Sequence, residues 1–389
     1  MILTCGVTSR EKITVLHYVG YDEDVGGILS LVRTLAATRR FECELGVNPG
    51  FKQARAPELP TVSFPAIVGE QLGMQTFWRA RLVAAEVRRW LKADPHRMFH
   101  GHSRAGLAVA LWLRRTGERR MVASVHCYGK QRWFYRCAAQ QLGDRLFWLS
   151  PAMKHHYRIK AAGRNDWAQC IPGCVPLAGP AETRKRDGEI LRIGGIGSLV
   201  SSKCWHLVLD AMHALPTFTR ARLRFVHLGA PMPTAKSQRY AAALRAQTAA
   251  LGLDAFVEWR GGQPSTQEFL REIDVLVVPS LREPLSIAML EALAAGVPVL
   301  AANSGGARDV ITPLRDGWLF RSGDMPDLSR ALTMLVESDV IRMAHPQPEP
   351  GWRFAAPIVA EQWAQVYARL SGAPGPQRSG ELALAGQVR

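Results

Sequence analysis

Two carboxylates eight positions apart, Glu283 and Glu291, carry the first chemical signal in the sequence, because both stand around the start of one helix. Glu283 precedes the helix expected from Pro284 to Gly296 and Glu291 lies two turns inside it, so they bracket the N-terminus rather than share a face at i, i+4 spacing. That terminus offers the free backbone N–H groups of Leu285, Ser286 and Ile287 and a partial positive charge, a natural seat for a phosphate. A carboxylate beside a phosphate repels it unless it turns to other partners, and an ionised carboxylate accepts hydrogen bonds well from vicinal hydroxyls. Phosphate donors and diol acceptors side by side suit a nucleotide-sugar. Spacing alone leaves a second reading open, in which Glu283 is a loop charge and Glu291 a solvated helix charge.

The elements that must position these residues are legible around them. Ile273 to Val278 is a short apolar run closed by Pro279 and Ser280, which reads as a buried parallel strand, and Val297 to Ala301 reads as the next. The same alternation fills the chain. Lys12 to Val19 is a strand, Gly20 to Gly27 a turn-rich loop and Ile28 to Thr38 an amphipathic helix, with Gly26 and Gly27 at the helix entrance, where backbone can approach a ligand closely. Strands are expected at 42–47, 98–102, 121–126, 190–193, 223–228 and 257–259, and helices at 77–91, 105–115, 207–215 and 352–370. Strands and helices alternating at this spacing imply parallel sheets, with ligands beyond the strand carboxyl ends.

Three histidines lie at such ends. His100 and His102 are spaced as a metal pair, but no local cysteine, histidine or carboxylate completes one, which favours a structural or substrate-binding role for His102 and its neighbour Ser103. A strand-end histidine such as His126 is, on its own, more often a satisfied structural group than a reactive one.

The run Glu283-Pro284-Leu285-Ser286-Ile287-Ala288-Met289-Leu290-Glu291, continued by Asn303 to Val310 and by Asp316 to Phe320, resembles the E-x7-E region of family 4 retaining glycosyltransferases. That resemblance implies the GT-B fold, two doubly wound α/β domains with an interdomain cleft. It implies donor-sugar contacts from Glu283, a ribose diol on Glu291, and a diphosphate held by Lys203 with the amides of Leu285 to Ile287. It also implies that Gly26 and Gly27 face the donor and that His126 lies close to the transferred sugar. His102 and Ser103 are expected on the acceptor side. The sequence departs from the family pattern at two positions. Ser198 stands where arginine is usual in the phosphate loop, and Pro172-Gly173-Cys174 replaces a Pro-Asn-Gly turn. Retention by same-face attack, assisted by the leaving phosphate and without a bound metal or cofactor, follows from the same resemblance.

Composition sets the outer bounds. The 389 residues suffice for two domains, and 47% hydrophobic with 21% charged residues is a globular balance. The seven cysteines have no repeating spacing, which argues for reduced thiols and against a zinc site. A net charge of +16 attracts phosphorylated substrates, anionic lipid or nucleic acid, and no nucleic-acid module accompanies it. With no apolar run long enough to span a bilayer and no convincing secretory signal at Met1 to Val15, a cytoplasmic protein is expected, with peripheral contact to an anionic inner-membrane surface. The expected organisation is 1–178 for the acceptor, 179–350 for the nucleotide-sugar donor, 351–370 as a helix crossing back to the first domain and 371–389 as a disordered tail. The function expected is sugar transfer to a glycan or lipid-linked acceptor in envelope polysaccharide or lipopolysaccharide assembly. A nucleotide-sugar epimerase and a non-catalytic binder of anionic lipid or nucleic acid are the alternatives.

Overall fold

The computed structural model describes residues 12–372 apart from 25, 72, 161–165, 178–189, 263–264, 339, 345, 347 and 350. The chain forms two compact units. The first takes the residues through His126, then Gln131–Trp148 and the chain from Pro357 on; the second takes Cys127–Lys130 and Leu149–Ala356. The units therefore divide at Leu149, some thirty residues before the Pro- and Gly-rich stretch at 176–188, most of which lies outside the described residues, as does the tail from 373.

In the first unit, β1 (Thr14–Tyr18), β2 (Glu42–Val47), β3 (Thr61–Ser63), β4 (Arg97–His102), β5 (Met121–Val125) and β6 (Leu146–Trp148) form a sheet in the order β3-β2-β1-β4-β5-β6. Every pairing is parallel. The order reverses between β1 and β4, the position where open α/β sheets leave a crevice beyond their strand ends. The register sets His17 of β1 opposite His100 of β4. The helix Ala356–Ser371 packs in this unit, with Tyr367 fully buried against Phe41 and His100.

The second unit repeats the plan. Its strands β7 (Leu191–Ile196), β8 (Leu223–Leu228), β9 (Val257–Trp259), β10 (Val275–Val278), β11 (Val299–Ala302) and β12 (Gly317–Phe320) are ordered β12-β11-β10-β7-β8-β9, again all parallel. Val275, Leu276 and Val277 are inaccessible, which explains the unbroken apolar run of β10: with both sheet faces covered there is no polar side to alternate with. Each such side chain contributes about 1.5–3 kcal/mol by leaving water. Here the reversal falls between β7 and β10.

Candidate active site

The β7–β10 reversal brings together two loops of the second unit. After β7 the chain turns through Gly197 and Ser198 into a single 3-10 turn, Ser201–Lys203, before the helix Trp205–His213. After β10 it runs through Pro279 and Ser280 to Glu283. The Leu281 amide donates to the Ser202 carbonyl at 3.2 Å, tying one loop to the other. The result is a direct ion pair, with Lys203 Nζ donating to Glu283 Oε2 at 2.6 Å. The two side chains keep 25% and 18% of their surface exposed, so the pair is shielded but open to a ligand.

A second loop fixes the backbone of Glu283 from behind. Gly306 N–H donates to the Glu283 carbonyl at 3.0 Å, and Ser150 Oγ donates to the Pro284 carbonyl at 3.3 Å. Gly305 has φ +54°, and a Cβ there would fall 1.8 Å from the Glu283 carbonyl oxygen, so both conformation and space demand glycine. Among the residues that position the site, Gly305 is therefore one that the sequence showed only as part of a matching loop.

The helix begins later than its sequence suggested. It spans Ile287–Ala294, and Ser286 caps it by accepting the Met289 amide on its hydroxyl at 3.3 Å. Pro284 thus lies before the cap rather than in the first turn. Leu285 and Ser286 are buried, and Leu285 packs beneath Gly306. The opening amides of the helix have no acceptor within it, and Glu283 lies three residues before the Ser286 cap. One turn further in, Glu291 Oε2 accepts from Thr266 Oγ1 at 3.1 Å. Burial pushes the Glu291 carboxyl above its ordinary range, against the pull of that hydroxyl. Ser198 contributes its carbonyl to Trp205 Nε1 at 3.1 Å and its hydroxyl to the Met232 sulfur at 3.5 Å, and it brings no cation to the loop after β7.

The first unit presents its own strand ends. Gly26, with φ +88°, turns the chain into the helix Gly27–Ala37, and a Cβ on it would meet nothing within 4 Å, so the conformation alone calls for glycine. The loop before it hangs on Asp24, whose inaccessible carboxylate accepts from Arg33 at 2.5 and 2.9 Å and from Arg55 at 2.8 and 3.0 Å. Burial would raise the Asp24 carboxyl, but the two guanidinium groups outweigh it and hold the group well below the carboxylate range. Ser103 opens the helix Ser103–Arg115 at φ +65°, and its hydroxyl donates a short hydrogen bond to the carboxylate of Glu70.

His102 lies inside the unit. It is 1% exposed, and both ring nitrogens are taken, Nδ1 by His126 Nε2 and Nε2 by His17 Nδ1, each at 2.9 Å. A ligand would therefore meet it only through His126, which is half-buried at the end of β5. His100 stacks on His102 with centroids 3.9 Å apart and engages Tyr367 and Ser124 hydroxyls at 2.7 Å. His17 is the member that the local spacing of the histidines hid, because only the parallel pairing of β1 with β4 brings it alongside. His17, His100 and His102 offer nitrogens within 4.8 Å of one another, the span of a metal site. Their arrangement fits poorly: the His100 nitrogens are committed to hydroxyls, the His100 and His102 rings stack rather than converge, and among the described residues no carboxylate joins the group.

Residues 183–347 match the family model described as glycosyl transferases group 1. Over 160 residues the chain is 34% identical to the D-inositol 3-phosphate glycosyltransferase of Stackebrandtia nassauensis, an alignment covering 39% of this chain and 36% of that protein. Over 92 residues it is 33% identical to the lipopolysaccharide core biosynthesis glycosyltransferase LpsE of Rhizobium meliloti, covering 24% and 27% respectively. The chain thus spans about a third or less of the length of these curated relatives. Among solved structures, HepE of Anabaena, in complex with UDP and glucose, superposes with a TM-score of 0.71 at 17% identity, covering 92% of this chain and all of that one (100%). The fold is GT-B.

In this GT-B chain the matched region contains the whole Lys203, Glu283 and Glu291 constellation. The structure brings Lys203 and Glu283 into contact and seats Ser286 at the cap between them and Glu291, while Gly26, Gly27, His102, Ser103 and His126 gather at the strand ends of the first unit. Thr266, Gly305, Asp24 and His17 were missed by sequence reasoning. Each acts through a partner distant in sequence, and only Gly305 carried a local sign, the Gly-Gly doublet.

Proposed function

We propose that the chain is a retaining glycosyltransferase that moves a sugar from a nucleotide-diphosphate donor to an acceptor hydroxyl. The observation that carries this reading is the Lys203–Glu283 pair at 2.6 Å beside the capped start of the helix Ile287–Ala294. A cation and free helix amides suit a diphosphate, and a carboxylate beside them suits sugar hydroxyls. Glu291, one turn in and steadied by Thr266, takes the ribose diol in this reading. In this reading the leaving diphosphate develops its charge against Lys203 and the amides of Leu285 to Ile287, and the reaction needs no metal or cofactor.

The acceptor is a glycan or lipid-linked saccharide, and the reaction serves envelope polysaccharide or lipopolysaccharide assembly at the cytoplasmic face of the membrane. Support comes from the relatives and from one surface. The helix Met74–Lys92 carries five basic residues and one acidic, and Met74, Trp78 and Leu82 on it are 83%, 58% and 58% exposed. Met74 and Trp78, with Trp133 and Phe134, border an apolar hollow of about 490 Å³, next to a second one lined by Arg81, Arg88, Arg89, Lys92 and Arg115. Apolar and aromatic groups rimmed by cations fit an anionic lipid surface. No helix among the described residues is long and apolar enough to cross a membrane.

The test is calorimetric titration with UDP, GDP, ADP and their sugar conjugates, followed by transfer assays in which the product anomer is read by NMR. Saturable binding of one nucleotide, weakened by Glu291→Ala and by Lys203→Ala, with an unchanged anomer in the product, supports the reading. Absence of binding at millimolar nucleotide would hand the protein to the binder of anionic lipid, and conversion of the donor without an acceptor would make it an epimerase.

A further inference from the structure

His126, His102 and His17 form one continuous chain of imidazoles, Nε2 to Nδ1 at 2.9 Å and Nε2 to Nδ1 at 2.9 Å, that runs from the end of β5 across β4 to β1. Burial keeps all three rings neutral, so each carries a single N–H and the chain has only two self-consistent polarities. In one, every N–H points inward and His17 Nε2 carries a proton. In the other, every N–H points outward, His17 Nε2 is bare and His126 Nδ1 is the donor.

The two ends decide between them. His126 is half-buried, so its Nδ1 can be met by solvent or ligand in either state. His17 is wholly buried, and its Nε2 has no hydrogen-bonding partner among the described residues. An orphaned buried N–H is rarer and costlier than an orphaned lone pair. His17 therefore keeps its proton on Nδ1 and donates to His102, and His102 in turn donates to His126. His100 braces the chain from the side, with its ring stacked on His102 and its nitrogens held by Tyr367 and Ser124.

We propose that His17 and His102 are positioning residues that lock His126 in the Nδ1–H tautomer, so that it meets an oxygen of the bound substrate as a hydrogen-bond donor and does not serve as a base. This rests on the transferase reading for its consequence, though not for the tautomer itself. A donor at that point holds a substrate oxygen and takes no proton from it. It also leaves deprotonation of the acceptor hydroxyl to another group, in keeping with a mechanism assisted by the leaving phosphate.

Long-range ¹H–¹⁵N spectra of the full chain labelled at histidine read the tautomer directly and need neither substrate nor variant. The expected result is a protonated Nδ1 and a bare Nε2 on His126 and on His102, with His17→Phe shifting His126 toward a mixture. A His126 protonated at Nε2 in the wild-type protein overturns the proposal, and so does one unchanged by His17→Phe. Metal analysis accompanies the spectra: stoichiometric zinc would show these nitrogens to be ligands and overturn it as well. In transfer assays His17→Phe is expected to lower kcat about tenfold, the scale of one hydrogen bond, with KM unchanged. An Nδ1–H tautomer without that loss overturns the catalytic consequence, whereas failure of every nucleotide to bind removes the transferase reading and leaves the tautomer result standing.

Discussion

Lys203 Nζ stands 2.6 Å from Glu283 Oε2, so the cation proposed for the diphosphate is already neutralised by the carboxylate proposed for the sugar. In the proposed reading donor binding exchanges partners, the lysine passing to phosphate and the carboxylate to hydroxyls. Removing the carboxylate charge frees the lysine and lifts a repulsion of about 0.5–1 kcal/mol at this partly shielded site. Glu283→Gln is accordingly expected to tighten binding of the bare nucleoside diphosphate roughly two- to fivefold while lowering turnover at least about a hundredfold. Lys203→Ala should weaken the same nucleotide. Calorimetry separates the cases, and a Gln variant that binds as poorly as the Ala variant would show that Glu283 does not restrain the lysine.

Glu291 gives a prediction of different form. Its carboxyl lies above the ordinary range because burial disfavours its charge, and only the ionised form accepts both hydroxyls of a ribose. Nucleoside affinity should therefore fall as pH is lowered, starting at a pH above that at which an ordinary glutamate titrates, and Glu291→Gln should bind weakly with no such dependence. Thr266→Val, which removes the hydroxyl 3.1 Å away, should move the wild-type transition to higher pH. Equal pH dependence in Glu291→Gln would assign the titration elsewhere.

The strand ends were legible because buried parallel strands are unbroken apolar runs, as in Val275 to Val278, and the run from Glu283 to Glu291 pointed to the loop that follows that strand. The three-residue β3 was not, since Thr61-Val62-Ser63 has no apolar period to detect. The helix start slipped from Pro284 to Ile287 because proline suits both a first turn and the loop before a serine cap, and only the Ser286 hydroxyl on the Met289 amide decides. His102 read as a structural or substrate-binding group on the acceptor side because it ends a strand beside a serine. The parallel pairing that buries it between His17 and His126 is a long-range fact that no local pattern contains.

Gly305 tests how much the site depends on its backing loop. An alanine there carries the left-handed penalty of about 1–2 kcal/mol, and its Cβ, 1.8 Å from the Glu283 carbonyl oxygen, forces the loop away. Gly305→Ala should lower stability by at least that amount in urea unfolding and reduce turnover more than nucleotide affinity, because Glu283 moves while Lys203 and Glu291 stay. Wild-type turnover in this variant would show that the glycine serves folding alone.

The basic, aromatic face of the first unit predicts selective adsorption. Vesicles containing phosphatidylglycerol should sediment the protein and vesicles of phosphatidylcholine should not, with the difference shrinking as salt rises. Trp78→Ser and Trp133→Ser, both at exposed positions, should weaken adsorption without changing the melting temperature. Equal binding to both vesicle types, or variants that sediment like the wild type, would remove the membrane from the functional reading.

The buried histidines make stability depend on pH with a definite sign. His17 and His227 are pushed down to about 3 and His126 to about 4 by burial, and His100 and His102 also lie well below the ordinary value. Between the unfolded value near 6.5 and these folded values, the unfolded chain binds protons that the native rings refuse, so stability is full above about pH 6.5 and falls as pH decreases. One such histidine costs about 2 kcal/mol between pH 7 and 5. Glu70, Glu291 and Asp309, raised by burial, act in the opposite direction and are outnumbered. The urea midpoint should therefore drop steeply below pH 6.5, and His17→Phe should flatten the slope even where it lowers stability at pH 7. A midpoint that holds constant from pH 7 to 5 would mean that the imidazoles are not buried as neutral rings, and the chain from His126 to His17 would lose its fixed polarity with them.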